Sequence, residues 1–215
     1  MPLKINVPYS EKDMAKSKGA FWDAEQKTWF VPDHKDINDF IQWIDTNASI
    51  IIKSPFFIAI NSRHCYKCAK PTTVIALASD NFYYLDDDNE ENDNEKWIRE
   101  DYFSFFSMPL YLNEEVRNVL NRLFPQYKLG YSKTVDGTYW ANHCVHCGLL
   151  QGDFYLHSEP GEAFCPVSME DYRQITLISI HTKFDIEINA GSSWASNADE
   201  ILEYANSITL EEFLK

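Results

Sequence analysis

Several features that would define a function are scarce or missing in this chain. Five cysteines in 215 residues are too few for a small protein held together by disulfides. Lysine and arginine number 19 against 33 aspartates and glutamates, and this shortage of positive charge argues against nonspecific binding to duplex nucleic acid or anionic membranes. The chain does contain 45% hydrophobic and 15% aromatic residues, which is enough for a substantial buried core.

Apolar runs that would direct the chain to a membrane are also missing. Residues 1–9 lack the long hydrophobic stretch of a secretory signal. The most apolar window, residues 48–60, contains Lys53 and Pro55 and is too short to cross a bilayer. We therefore expect a cytoplasmic protein without membrane contact, in which the cysteines are thiols or metal ligands.

The common catalytic motifs are absent as well. The chain has no Gly-x-x-x-x-Gly-Lys-Ser/Thr phosphate loop, no Gly-x-Ser-x-Gly nucleophile turn and no His-Glu-x-x-His. One segment keeps a hydrolase open as an alternative, because Asp153 and His157 would share a helix face and could act as acid and base. The same spacing fits an aspartate that orients a histidine, or simple surface polarity. We favour a protein that is not an enzyme.

Residues 1–46 are predicted to form a small α+β module. Alternating apolar residues predict a strand at its start, and Ser10 is the predicted cap of a helix that ends at Gly19. The remaining elements are a hairpin of two aromatic runs and a second helix, at residues 20–23, 28–31 and 35–46. We expect Trp22, Trp29 and Phe30 in or near the core of this module.

The same stretch carries a set of short motifs at close spacing. In order they are Asn6-Val7-Pro8-Tyr9, Ala15-Lys16, Gly19-Ala20, Trp22-Asp23, Lys27 and Trp29-Phe30-Val31-Pro32. Together they resemble a small bacterial domain of unknown function, which occurs on plasmid conjugation primases and other mobile-element DNA enzymes. Where members of that family often have a basic residue before Trp-Asp, this chain has Phe21. The resemblance implies an association with DNA-handling systems and specifies no activity.

Residues 50–215 are predicted to form a larger α+β domain. A helix over 114–124 should begin after Asn113, and Asp136-Gly137 is a strong signal for a hairpin turn. The other predicted elements are an initial series of strands, two strands paired with each other at 175–181 and 184–188, and helices from 198 and 210.

An acidic insertion interrupts this domain at residues 86–101. It holds nine carboxylates against Lys96 and Arg99. Such a run is typical of a solvated surface loop, and it could also cover the basic surface of a partner protein. An acidic immunity protein or antitoxin that inhibits a basic effector is therefore a second functional hypothesis.

Two Cys-x-x-Cys pairs, Cys65/Cys68 and Cys144/Cys147, are the strongest chemical signal in the chain. Two intervening residues let one tight turn aim both thiolates at one point, and four thiolates satisfy tetrahedral zinc. We predict a structural Zn²⁺ site in a zinc-ribbon-like antiparallel sheet, with no coordination position left for catalysis.

Other ligand assignments remain open at this stage. A histidine next to a pair could replace a cysteine (His64, His143 or His146), and so could Cys165. Redox-active dithiols are a further alternative, although the strand-to-helix setting of thioredoxin-like sites is missing. Our leading hypothesis is a zinc-stabilised, non-enzymatic accessory protein of bacterial mobile-element or DNA-handling systems. It should bind a protein partner. Nucleic acid could also bind the N-terminal module, although the net negative charge of the chain disfavours such binding.

Overall fold

The computed structural model describes residues 1–86, 96–192 and 198–215, and these fold into three β-sheets with flanking helices. The strands are β1 (Leu3–Ile5), β2 (Phe21–Asp23), β3 (Thr28–Val31), β4 (Ile50–Ile52), β5 (Phe56–His64), β6 (Pro71–Ser79), β7 (Phe82–Asp86), β8 (Lys96–Glu100), β9 (Ser104–Leu112), β10 (Tyr127–Ser132), β11 (Gly137–His143), β12 (Leu150–Gln151), β13 (Thr176–Ile180), β14 (Ile186–Ser192) and β15 (Asn206–Thr209). The helices are α1 (Lys12–Lys18), α2 (Glu114–Leu123), α3 (Asp153–Ser158), α4 (Met169–Gln174), α5 (Ala198–Tyr204) and α6 (Leu210–Phe213). This content confirms the predicted α+β class.

The N-terminal strands form a small antiparallel sheet in the order β1-β3-β2, which confirms the predicted hairpin. Gly19, with φ +102°, ends α1 as predicted. The prediction that Ser10 caps this helix is wrong, because a 3₁₀ turn over Tyr9–Glu11 places Ser10 before the helix boundary. Trp29 is buried, whereas Trp22 remains 49% exposed.

The predicted α-helix over 35–46 is instead a 3₁₀ helix, Ile37–Trp43. Its buried residues are Ile37, Phe40 and Trp43, which recur every third position. A 3₁₀ helix has three residues per turn, so these three side chains lie on the same side of the helix and form its buried face. Asp36 caps the segment by accepting a hydrogen bond from the backbone N–H of Asn38.

The central sheet has the strand order β15-β13-β5-β6-β9-β14-β4-β7-β8. It is antiparallel except for the parallel pair β13 and β15. The predicted pairing of 175–181 with 184–188 is wrong, because β13 pairs with β5 and β15 while β14 pairs with β4 and β9. Their connection therefore crosses the sheet instead of forming a hairpin.

Both faces of this sheet are covered, and residue size differs between them. On one face Ile58 and Leu77 pack under α2 in the largest core cluster. On the other face the neighbouring positions are Ala59, Ala76 and Ala78, which contact a cluster of rings and short helices. Small residues on that face allow aromatic side chains to approach the backbone closely, which keeps the layer densely packed.

Three strands outside the central sheet form a second small sheet in the order β10-β11-β12. The hairpin of β10 and β11 was predicted, but its turn spans residues 133–136, and Gly137 is the first residue of β11, where it pairs with Ser132. Asn113 caps α2 as predicted, by accepting from the backbone N–H of Val116. Within the described ranges, no helix has the length and apolar character needed to span a bilayer.

The acidic insertion differs from a loop at both of its ends. Asp86 ends β7, and Lys96–Glu100 forms β8, which pairs with β7 at the sheet edge. The prediction of a surface loop is therefore wrong for these residues. Residues 87–95 lie outside the described residues.

The N-terminal module shares a core cluster with the central sheet. Trp97 of β8 is 3% exposed and packs in the module cluster together with Ile51 of β4. The side chain of Asn38 accepts from the backbone N–H of Trp97 at 2.7 Å and donates to the backbone carbonyl of Trp97 at 3.0 Å. Buried Lys53 contacts Asp33 of the module and Asp185 of the sheet. The predicted division into 1–46 and 50–215 stays a prediction.

Candidate metal centre

The two Cys-x-x-Cys pairs occupy the turns of two hairpins. Cys65 and Cys68 lie between β5 and β6 of the central sheet, and Cys144 and Cys147 lie between β11 and β12 of the second small sheet. Strands from two separate sheets therefore carry the two turns. The prediction of a single zinc-ribbon-like sheet is not confirmed by this arrangement.

The turns 65–70 and 144–149 have the same backbone hydrogen bonds. In each, the N–H of the first cysteine donates to the carbonyl five residues later, at 2.9 and 2.8 Å. The N–H of the residue four positions later donates back to the first cysteine's carbonyl, at 2.9 Å in both turns. That residue is left-handed in both, with φ +56° at Ala69 and +72° at Gly148. An alanine in this conformation is strained by roughly 1 kcal/mol relative to glycine.

The four sulfur atoms converge on one point. The Sγ–Sγ distance is 3.6 Å between Cys65 and Cys147 and 3.7 Å between Cys68 and Cys144. All four lie within 4.8 Å of one another. A disulfide would need about 2.05 Å, whereas a tetrahedron with Zn–S bonds of about 2.3 Å has S–S edges of about 3.8 Å. The four cysteines could therefore bind one metal ion.

The thiols in this cluster influence one another's ionisation. A hydrogen bond from the backbone N–H of Cys68 helps to lower the pKa of the Cys65 thiol to about 6. The backbone N–H of Leu149 favours the thiolate of Cys147, but desolvation and the neighbouring sulfurs outweigh it and raise that pKa to about 11. Four thiolates at this spacing repel one another, and a bound divalent cation would relieve the repulsion.

Side chains around the sulfurs join the two hairpins. Gln151 of β12 is 1% exposed, and its Nε2 donates to Cys65 Sγ at 3.6 Å, across the cluster. The Val145 N–H donates to Thr72 Oγ1 at 3.0 Å, from the second turn to β6. Neither Gln151 nor Thr72 had a predicted role, because the only sequence signal is that Gln151 follows Cys147 by four residues.

The alternative ligands lie away from the cluster of four sulfurs. His146 Nε2 is 3.0 Å from the carbonyl of Pro71, and His143 Nδ1 is 3.0 Å from the carbonyl of Ala141. His64 and Cys165 are outside the metal-ligand group that the described residues form. Cys165 is half-buried, and burial raises the pKa of its thiol. The structure thus brings together the four residues of the two motifs.

Asp153 and His157 both lie on α3, but their side chains have different surroundings. Asp153 is 2% exposed and its Oδ2 accepts from the Met108 N–H at 2.7 Å, while burial raises its pKa to about 7. The His157 ring lies 5.1 Å from that of Phe164, and burial lowers its pKa to about 3. No hydrogen bond joins Asp153 to His157 within the described chain. Their catalytic role stays a prediction.

Known proteins resemble the N-terminal module. Residues 3–45 match the profile of a domain of unknown function, DUF5710. The N-terminal part of the chain is 47% identical over 49 residues to a DNA primase TraC of Escherichia coli, and it is 36% identical over 50 residues to a second Escherichia coli DNA primase TraC. Each match covers 23% of this chain but only 3% and 5% of the primases. No solved structure matches the chain.

The candidate metal centre lies outside the DUF5710 segment. All four cysteines follow residue 45 and belong to hairpins of the two other sheets. The DUF5710 segment contributes no sulfur to the cluster, and it joins the central sheet through the core around Trp97. The chain thus combines a module related to part of the primases with a four-cysteine centre in the remaining residues.

Proposed function

We propose that this chain is a cytoplasmic, zinc-stabilised accessory protein of a bacterial mobile-element or DNA-handling system, without catalytic activity of its own. The observation that carries the proposal is the convergence of four cysteine sulfurs from two separate hairpins. A metal ion bound by these four sulfurs would join the two hairpins and stabilise the fold. The DUF5710 segment supports the association with DNA-handling proteins, because the relatives that share it are named DNA primases.

The donor set favours zinc. Four thiolates are soft ligands, and they select zinc, copper(I) or iron–sulfur clusters over calcium and magnesium. Sulfur separations of 3.6 and 3.7 Å fit one tetrahedral ion. Such a site is closed to water and substrate, so the ion would have a structural role.

The bound ion would connect the central sheet to the second small sheet. Zinc sites of this kind contribute on the order of 10–16 kcal/mol in small peptides. The two sheets also contact each other directly, because buried Asn142 of β11 accepts from the backbone N–H of Ile75 and donates to the Ile75 carbonyl, both at 2.8 Å. Zinc would therefore add to these contacts and hold the two cysteine turns together.

A metal analysis of the full-length protein tests the first part of the proposal. After purification under reducing conditions, we expect one zinc per chain and an X-ray absorption spectrum with four sulfur neighbours at about 2.3 Å. Cys68→Ser should lose the metal, whereas Cys165→Ser, the matched control outside the cluster, should retain it. Metal-free protein with a native circular dichroism spectrum would contradict the proposal.

Affinity capture from the native host tests the second part. The tagged full-length protein should capture identified conjugation or DNA-replication proteins, and deletion of residues 1–46 should abolish this capture. Capture restricted to a basic toxin-like effector would instead support the acidic inhibitor. In that case, neutralising the acidic insertion should slow association and reduce its salt dependence.

A further inference from the structure

One surface of the N-terminal module combines exposed rings with lysines. We define the aromatic–lysine strip as Tyr9, Lys12, Lys16 and Trp22. Tyr9 is 82% exposed and Trp22 is 49% exposed. The two lysines are four residues apart on α1, so they lie on the same face of the helix.

Ring contacts make the strip continuous. The Lys12 Nζ lies 3.9 Å from the centre of the Tyr9 ring, and the Lys16 Nζ lies 5.9 Å from that of Trp29. Trp29 is buried and packs against the Trp22 ring, with their centres 5.6 Å apart. Trp29 therefore contacts both Lys16 and the exposed Trp22, and the exposed Tyr9 has the Lys12 cation next to its ring.

Among the described residues, the strip lysines make no ion pair, unlike Lys53 and Lys183. Lys53 and Lys183 make ion pairs with carboxylates at 2.7 and 2.8 Å. In the described parts of the chain, neither Lys12 nor Lys16 has a carboxylate oxygen within 4.0 Å. Their charge remains available to an anion, although the protein as a whole has a net charge of −14.

We propose that the aromatic–lysine strip binds single-stranded nucleic acid, with bases stacked on Tyr9 and Trp22 and phosphates at Lys12 and Lys16. Single strands offer both an accessible ring face and a negative charge at every residue, which are the two features that the strip complements. A duplex hides the faces of its bases, and an apolar peptide would desolvate the lysines without pairing them. The inference deepens the proposed link to DNA-handling proteins and does not depend on the metal.

The expected binding is modest and sensitive to salt. Two neutralised phosphates on a single strand give a slope of about −1.4 in a plot of log affinity against log salt concentration. Stacking of one base on one aromatic side chain corresponds to about 5- to 150-fold in affinity. The net negative charge of the rest of the chain works against this, so binding should be measured at low salt.

Fluorescence anisotropy with a labelled oligothymidylate of about 12 nucleotides and the full-length protein tests the proposal. Tyr9→Ala and Trp22→Ala should each weaken binding by at least about fivefold, and Trp22→Phe should restore most of the loss. Exposed Tyr155 of α3 provides the matched control, and Tyr155→Ala should leave affinity unchanged.

The lysines are tested by the salt dependence. Replacing Lys12 and Lys16 together by glutamine should remove most of the slope. The same change at exposed Lys128 of β10 and exposed Lys133, in the turn after β10, should not. Oligouridylate, compared in parallel, decides whether the strip prefers DNA or RNA, since both share the chemistry proposed here.

Three results would overturn this inference: no binding at low salt, equal affinity for the duplex, or unchanged affinity after Trp22→Ala and Tyr9→Ala with native circular dichroism spectra. Each leaves the proposed function intact if zinc and the DNA-processing partners are still found. Conversely, a metal-free protein that binds the oligonucleotide through Trp22 would support the strip and contradict the zinc proposal.

Discussion

Asp153 is a buried carboxyl group whose ionisation should make the stability of this protein depend on pH. Its Oδ2 accepts a hydrogen bond from the Met108 N–H at 2.7 Å, and its Oδ1 is buried without a hydrogen-bond partner among the described residues. Burial raises the pKa of Asp153 to about 7, from an ordinary value of 3.8. One donor does not compensate the loss of hydration that the ionised carboxylate suffers there.

The sign of the pH effect follows from proton binding. Between about pH 4 and about pH 7 the folded protein keeps a proton on Asp153 that the unfolded chain has released. The stabilisation is fully present below the unfolded pKa and is lost as the pH rises through the folded pKa. Each pH unit costs at most about 1.4 kcal/mol, so about 4 kcal/mol is the upper limit for the whole interval.

Urea unfolding of the full-length protein with zinc present, at several pH values between about 5 and about 7.5, measures this slope. Asp153→Asn keeps an oxygen for the Met108 N–H and cannot ionise, so its free energy of unfolding should fall less steeply with pH. Glu187 contributes with the same sign, because burial raises its pKa to about 7. The variant should therefore retain part of the slope, and the difference between the proteins isolates Asp153.

The control is Asp101→Asn, an exposed carboxyl group whose removal should leave the wild-type slope unchanged. Parallel pH profiles for wild type and Asp153→Asn would refute the reasoning, since they would mean that Asp153 is already ionised in the folded protein. A raised absolute stability of the variant without a change of slope would also count against it, because packing could produce that result.

Three further changes have expected outcomes. Ala69→Gly should raise the unfolding free energy of the zinc-loaded protein by roughly 1 kcal/mol, and Gly148→Ala should lower it by the same amount, in thermal or urea unfolding. A change of the same sign in both variants would contradict left-handed backbone conformations at these two positions. Lys53→Met should destabilise by at most about 3–5 kcal/mol, because it leaves buried Asp185 with only the Met1 amino group, at 3.6 Å, as a cationic partner. Asp185→Leu in the same protein should recover part of the loss in urea unfolding. Gln151→Leu should weaken zinc binding by about 10- to 100-fold in chelator competition, and unchanged affinity would remove the role of its bond to sulfur.

Features that depend on a few consecutive residues were predictable from the sequence. Gly19 ends α1 because a left-handed residue closes the helix, and Asn113 starts α2 because its side chain accepts an orphan N–H. The local Asp136-Gly137 pair indicated the hairpin, although the turn itself spans residues 133–136 and Gly137 already belongs to β11. The four cysteines belong to the same class, since a Cys-x-x-Cys turn encodes its own geometry. Only the convergence of two such turns required the whole fold.

The order of the central strands was not predictable in this way. β13 and β14 follow each other in the chain, and neighbouring strands often pair, so a hairpin was the natural expectation. β13 has apolar residues on both faces, Leu177 on one and Ile178 on the other, whereas β14 alternates Ile186 and Ile188 with polar residues. Such patterns indicate which face is buried and do not specify the neighbouring strand. Their actual neighbours, including β5 and β9, are set by packing over more than 70 residues of chain.

The pattern of apolar residues did not predict that Ile37–Trp43 forms a 3₁₀ helix instead of an α-helix. Apolar residues at 37, 40, 41 and 44 fit an α-helical face, but the structure buries Trp43 and leaves Ile41 only partly buried. Trp43 Nε1 donates to Glu11 Oε2 at 2.6 Å, and this bond holds the indole toward α1. The preference is a tertiary one, so replacing Trp43 by leucine should weaken the 3₁₀ helix and the packing of α1 together.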